Sequence, residues 1–95
     1  MVAYEPVWAI GVHGKPASKE YAAEKHMVIK EALRNLYGDA ASRAPVLYGG
    51  SVNNSNASDL VQMDTIDGLF IGRSAWDANN FNIIIRDALR EYKFA

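Results

Sequence analysis

Three short runs of consecutive apolar residues set the limits on how this chain can fold: Val2–Tyr4, Pro45–Tyr48 and Asp67–Ile71, the last apolar beyond its opening Asp-Gly. Each is too short for a buried helix, and each runs into a turn or a charge: Glu5-Pro6, Gly49-Gly50 and Gly72. The segments between them carry a helical period. Ala22, His26, Ile29, Leu33 and Leu36 recur at steps of three and four. Ser18 is placed to cap that helix, Glu20 suits its first turn, and Gly38 is a stop. Asn53 to Gln62 reads as a short helix opening on capping-type residues. Phe81, Ile84, Ile85, Ala88, Leu89 and Tyr92 form one stripe of a last helix, with Arg86, Asp87 and Arg90 off it. The order is βαβαβα. Strands joined through helices predict a parallel α/β sheet with right-handed crossovers, and unbroken apolar runs predict strands buried on both faces.

Composition narrows the class. The chain has 95 residues, enough for one small domain, and no linker divides it. A formal net charge of -1 gives no basic surface for nucleic acid. No apolar run is long enough to cross a bilayer, and no signal-peptide pattern opens the chain, so no membrane partner is expected. Cysteine is absent, which excludes disulfides, thiolate metal sites and a cysteine nucleophile. Neither His13 nor His26 has a metal-ligand spacing. His26 lies in the apolar stripe and reads as a satisfied helix-face histidine, and His13 as a loop-surface residue. Lys19, Glu20, Glu24, Lys30 and Glu31 read as a solvated helix face. Asn53-Asn54-Ser55 and Asn56-Ala57-Ser58 match the glycosylation pattern but are read as polar residues of a helix start.

The unusual residues gather at one end of this frame. Glu5 ends the first strand, Gly49-Gly50-Ser51 follows the second, and Gly72-Arg73-Ser74 follows the third. Parallel α/β sheets bind ligands at the carboxyl ends of their strands. Glycine turns there can point backbone N–H groups at an anion such as phosphate. On the residues alone, glycine at strand ends is more often simple turn chemistry, and Glu5 also reads as a solvated carboxylate and Trp8 as loop packing.

AYEPVWAIG, YGGSV and DGLFIG, in this order and at this spacing, resemble the triosephosphate isomerase family. The likeness covers essentially the whole chain but only the last three βα units of an eight-unit barrel. It implies that residues 1–95 are a single partial domain, the C-terminal segment of a TIM (β/α)8 barrel. It implies a cytoplasmic aldose-ketose isomerase that uses no cofactor or metal and takes a phosphorylated three- or four-carbon sugar. Glu5 then matches the catalytic base, acting through an enediol; a glutamate base under a closing lid is a worked example for this family. Pro6 to Lys15 matches the lid, with Pro6 and Trp8 at its first hinge. Tyr48 and Ser51 match the latch of the closed lid. Gly11, Ser51 and Gly72 match the phosphate-holding positions.

Two departures bear on substrate. Arg73 stands where the family usually has a second glycine, and it is assigned either to the phosphate, to a longer sugar, or to outward packing. The lid is one residue longer, GVHGKPAS in place of a GTGK-type segment. Together with IDGLFIGRSAW this resembles the erythrulose-phosphate isomerase branch more than the glycolytic enzyme. The family site also needs a lysine from the first strand's loop and a histidine from the fourth, and neither unit is in this sequence. A lone monomer is therefore expected to have little or no isomerase activity. Two bare sheet edges predict association, as a homo-oligomer or with a complementary barrel fragment. The alternative reading is a non-enzymatic, self-assembling or split-barrel fragment with at most phosphate binding.

Overall fold

The computed structural model describes residues 1–10 and 14–92. Strands β1 (Val2–Tyr4), β2 (Val46–Tyr48) and β3 (Gly68–Leu69) form one parallel sheet in the order β1-β2-β3. The register aligns Tyr4 with Tyr48 and Tyr48 with Leu69. Helices α1 (Lys19–Tyr37), α2 (Ala57–Val61) and α3 (Ala78–Glu91) follow the strands in turn, which is the predicted βαβαβα order. No helix among the described residues is long and apolar enough to cross a membrane.

The helix ends follow the sequence signals. Ser18 Oγ accepts the Tyr21 N–H at 3.1 Å, satisfying a donor that the first turn of α1 leaves open. Gly38 ends α1 at φ 71°, a left-handed conformation that glycine adopts without a Cβ penalty. Asp77 caps α3 by accepting the Asn79 N–H at 3.0 Å. The second helix is shorter than predicted. Asn53 Oδ1 accepts from the Ser55 N–H at 2.9 Å and its hydroxyl at 2.6 Å, so the backbone turns there and α2 begins only at Ala57.

The core lies on one face of the sheet. Tyr4, Tyr48 and Leu69 point at the helices, where Tyr48 joins Ala22, Ala57, Leu60, Ile66 and Ile84 in one buried cluster. His26 is fully buried, stands edge-on to Tyr4 with ring centroids 5.9 Å apart, and directs Nδ1 to the Thr65 carbonyl at 3.1 Å. It is the helix-face histidine that the sequence suggested, held through Nδ1.

The alternate strand residues point the other way. There Ala3 and Glu5 are exposed, Leu47 is half-buried and Phe70 is 51% exposed. Burial of the strands on both faces is thus corrected: three strands do not curl far enough to enclose their inner side chains. The stripe of α3 is corrected likewise. Ile84 is buried, but Leu89 stays 59% exposed, because only part of the stripe meets the sheet and α2. Leu36, at the end of the α1 stripe, is 72% exposed.

One carboxylate braces the end of the sheet away from Glu5. Asp67 Oδ2 accepts from Lys30 Nζ at 2.6 Å and from the Val46 N–H at 2.9 Å, and the Asp67 carbonyl accepts the Tyr92 hydroxyl at 2.9 Å. Lys30 therefore leaves the solvated face to which the sequence assigned it. Asp67→Ala is expected to cost about 1–3 kcal/mol in urea unfolding, because it strands a buried backbone donor. Lys30→Met should cost less, about 1 kcal/mol or under, since the Val46 bond survives.

Burial pushes the Tyr4 hydroxyl up to about 12 from its ordinary value of 10.0, with the neighbouring Tyr21 hydroxyl adding to the shift. Burial also raises Tyr48. The fold therefore favours the protonated phenols. Their stabilisation is complete below pH 10.0 and fades as pH rises through about 12. Ultraviolet titration of phenolate should show tyrosine ionisation delayed from 10.0 toward about 12 in the folded chain, and Tyr4→Phe should flatten the alkaline loss of stability.

Candidate active site

The three strands deliver their carboxyl ends to one cleft of about 310 Å³. Glu5, Gly49, Gly50, Ser51, Phe70, Gly72, Arg73 and Trp76 line it, together with Ala9 and Ile10 from the segment after β1. Of all its lining residues, Glu5 and Arg73 carry charge. Glu5, Ser51, Gly72 and Arg73, picked from sequence at three separate places, meet here. Gly11 lies outside the described residues, as does His13.

Glu5, Gly49 and Phe70 form one row across the open face of the sheet. A Cβ on Gly49 would meet Phe70 Cδ1 at 2.6 Å and Glu5 Cγ at 3.1 Å. The glycine thus leaves room for the aromatic ring and the carboxylate stem to close over the middle strand. Its N–H is already spent, donating to the Tyr4 carbonyl at 2.8 Å. The phosphate turn read from Gly49-Gly50-Ser51 therefore begins one residue later than its first glycine. The Gly50 and Ser51 N–H groups have no partner among the described residues, and neither do those of Gly72, Arg73 and Ser74. Five donors consequently stand unpaired on two turns beside one carboxylate. A Cβ at Gly72 would meet nothing within 4 Å, so this turn has open space before it.

Arg73 makes no salt bridge among the described residues; its guanidinium lies 5.6 Å from the centroid of Trp76, whose ring is 80% exposed. Stacking occupies the face of the guanidinium and leaves its in-plane N–H groups available.

The segment assigned to the lid is seated on the fold by its two ends. Pro6 is buried, and a single tight turn, Val7–Ala9, follows it, closed by the Ala9 N–H on the Pro6 carbonyl at 2.9 Å. Trp8 packs edge-on to Tyr21 with ring centroids 5.5 Å apart. The Lys15 N–H donates to the Trp8 carbonyl at 3.0 Å, so the loop pinches shut at its neck. A Cβ on Gly14 would meet the Ala9 carbonyl carbon at 2.7 Å, which makes the neck a place for glycine. Tyr48 lies beneath. Its buried hydroxyl makes no hydrogen bond of full geometry, yet the Ala17 backbone N–H is near enough to favour its ionised form against the effect of burial. Gly50 gives it room, since a Cβ there would meet the Tyr48 hydroxyl at 2.5 Å.

Sequence reasoning missed Phe70, Trp76 and the second glycine-enforced contact at Gly49. The signal for Phe70 was the strand register, which places it in line with Glu5. Among the described residues no group of three His, Asp or Glu side chains is placed to hold a metal ion. Gly49→Ala should displace Phe70 and cost about 1–3 kcal/mol by overpacking. Adding Phe70→Ala should recover part of that loss, and thermal unfolding of the two single variants and the double variant measures the coupling.

The sequence pattern described as triosephosphate isomerase matches residues 1–88. The L-erythrulose-1-phosphate isomerase of Rhizobium etli is 52% identical over 81 residues, which is 85% of this chain and 29% of that protein. The enzyme of the same name from Rhizobium meliloti is 49% identical over 90 residues, 95% of this chain and 34% of that protein. The triosephosphate isomerase of Lawsonia intracellularis is 41% identical over 91 residues, 96% of this chain and 36% of that protein. The chain thus spans about a third of the length of the curated relatives it matches. With the parallel βαβαβα order and a match over residues 1–88, this chain belongs to the triosephosphate isomerase family.

Proposed function

We propose that this chain carries the base and phosphate side of a sugar-phosphate aldose-ketose isomerase site. The observation that supports it is the single cleft that joins Glu5 to two turns of unpaired N–H groups and to Arg73. In this reading the Glu5 carboxylate removes a proton from the carbon beside the substrate carbonyl. The C–H electron pair becomes the carbon-carbon double bond while the carbonyl π pair moves onto its oxygen, which takes a proton from the electrophilic partner, giving an enediol. Glu5 then returns its proton to the former carbonyl carbon as the other enediol hydroxyl gives up its own, so ketose becomes aldose with no net change in oxidation. The phosphate sits against the N–H groups of Ser51 and Gly72 and the Arg73 guanidinium, with Gly11 of the lid as a further donor. Pro6 and Trp8 hinge the lid, and Tyr48 and Ser51 latch it.

The substrate favoured is a four-carbon ketose phosphate. The relatives named L-erythrulose-1-phosphate isomerase share more of the sequence than the triosephosphate isomerase does, at 52% and 49% against 41%. A three-carbon phosphate is the runner-up.

The base needs an electrophile to polarise the carbonyl. His26 does not serve, because it is buried on the helix side of the sheet and Glu5 stands on the other. Lysine and histidine from further βα units, in a second copy or a complementary barrel segment, complete the site. The open sheet face favours that association. It also carries the second reading, in which the chain is an assembling fragment without catalysis.

The test is isomerisation of dihydroxyacetone phosphate and of both erythrulose phosphates, by the chain alone and with complementary barrel segments. Turnover is expected only in the assembled state. Glu5→Gln should lower it by about 10²- to 10⁴-fold. Turnover that survives Glu5→Gln would overturn Glu5 as the base, and efficient turnover by a proven monomer would overturn the need for assembly.

A further inference from the structure

Both turns that face the cleft are held from behind by an asparagine. Asn56 Nδ2 donates to the Ser51 carbonyl at 2.6 Å, while its Oδ1 accepts the Asn53 N–H at 2.8 Å. Asn80 Nδ2 donates to the Ser74 carbonyl at 2.8 Å. Neither asparagine lines the cleft, although Ser51 and Ser74 both do. The two braces come from unrelated stretches of sequence, one before α2 and one in the first turn of α3.

We propose that Asn56 and Asn80 are positioning residues for the anion in this cleft, a reading that rests on the phosphate assignment above. The physical reason is the polarity of a peptide turn. A turn that offers N–H groups to an anion also carries carbonyl oxygens close by, and a carbonyl rotated toward the anion repels it. A carboxamide donor on that oxygen engages its lone pair and fixes the peptide plane. Each plane so fixed carries the N–H of the next residue, Val52 or Ala75, and these close back on the Gly50 and Gly72 carbonyls at 3.0 Å. The asparagine thus locks the closing peptide of each turn. Through it the unpaired donors just before, Gly50 and Ser51 on one turn and Gly72, Arg73 and Ser74 on the other, keep their orientation before any ligand arrives. Preorganised donors need no reorganisation when charge is bound, which is what gives them their effect. Asn56 grips its turn at two points, and the Val52 N–H closes the same turn on the Gly50 carbonyl at 3.0 Å. Asn80 grips at one, and the remainder of its turn is closed by the Ala75 N–H on the Gly72 carbonyl at 3.0 Å.

The experiment uses inorganic phosphate as the probe and the amide resonances of the whole chain as the readout. In the wild type, phosphate should shift the amide signals of Ser51 and Gly72. Asn80→Ala should weaken phosphate binding about 2- to 12-fold, the worth of one neutral hydrogen bond, and Asn56→Asp, which keeps the acceptor for the Asn53 N–H but adds a negative charge, should weaken it further. Asn80→Gln, whose longer amide can still reach a carbonyl, should recover part of the affinity. Thermal unfolding of each variant separates this from a merely structural role. Variants that unfold earlier but bind phosphate as tightly as the wild type overturn the proposal while leaving the phosphate site intact. A wild-type chain whose amides ignore phosphate overturns the phosphate reading and this inference together. If Asn56→Asp fails to fold, Asn80→Ala and Asn80→Gln decide alone.

Discussion

The carboxylate of Asp67 ties the elements of this small fold together. It binds Lys30 of α1 and the first N–H of β2, and its own carbonyl receives Tyr92 from the end of α3. All these contacts lie at the amino ends of the strands. Partial exposure of the ion pair keeps its desolvation cost modest, and the shared Val46 bond gives the carboxylate a fixed place. With one end of the sheet braced, the turns at the other end can leave N–H groups unpaired. Glu5 and the two glycine turns occupy that other end.

The two faces of the sheet are equally unlike. One carries Tyr4, Tyr48 and Leu69 into a core with His26 and the helices. The other carries Ala3, Glu5, Leu47 and Phe70 toward solvent. Strand alternation makes this division unavoidable, because adjacent residues must point to opposite sides. Tyr48 connects the two regions. Its ring belongs to the core and its hydroxyl reaches Gly50 and the Ala17 backbone, so the segment entering α1 rests on the best-packed part of the molecule.

Much of the order of elements was legible in the sequence, since helix and strand periods differ and Ser18 and Gly38 mark ends that the structure keeps. The gathering of Glu5, Ser51, Gly72 and Arg73 was legible too, because parallel strands send their carboxyl ends to one place. Solvent exposure was not. An apolar run says that a strand can be buried on both faces, but not that a second layer is there to bury it, and Phe70 and Leu89 show the difference. Side-chain hydrogen bonds were also hidden. Asn53 shortens α2 through an internal turn, Asn56 and Asn80 turn back onto carbonyls, and Lys30 reaches Asp67 across the fold. In each case the partner is set by tertiary placement, which spacing along the chain does not encode. Gly49 looked like a phosphate-turn glycine, and its stronger constraint is the space taken by Phe70 and Glu5.

The open face decides more than stability. A carboxylate base gains from a site that excludes water, where the surrounding electrostatics strengthen. Ala9 and Ile10 already border the cleft, and Phe70 lies beside the Glu5 stem, yet Glu5 remains exposed. Ala9 and Ile10 reach the cleft from the end of the sheet and leave the face beneath Glu5 uncovered. Whatever packs on Ala3, Leu47 and Phe70 would therefore dry Glu5, the proposed base, in the same step that buries the sheet. For this chain, covering the apolar face and withdrawing the Glu5 carboxylate from water are one physical event.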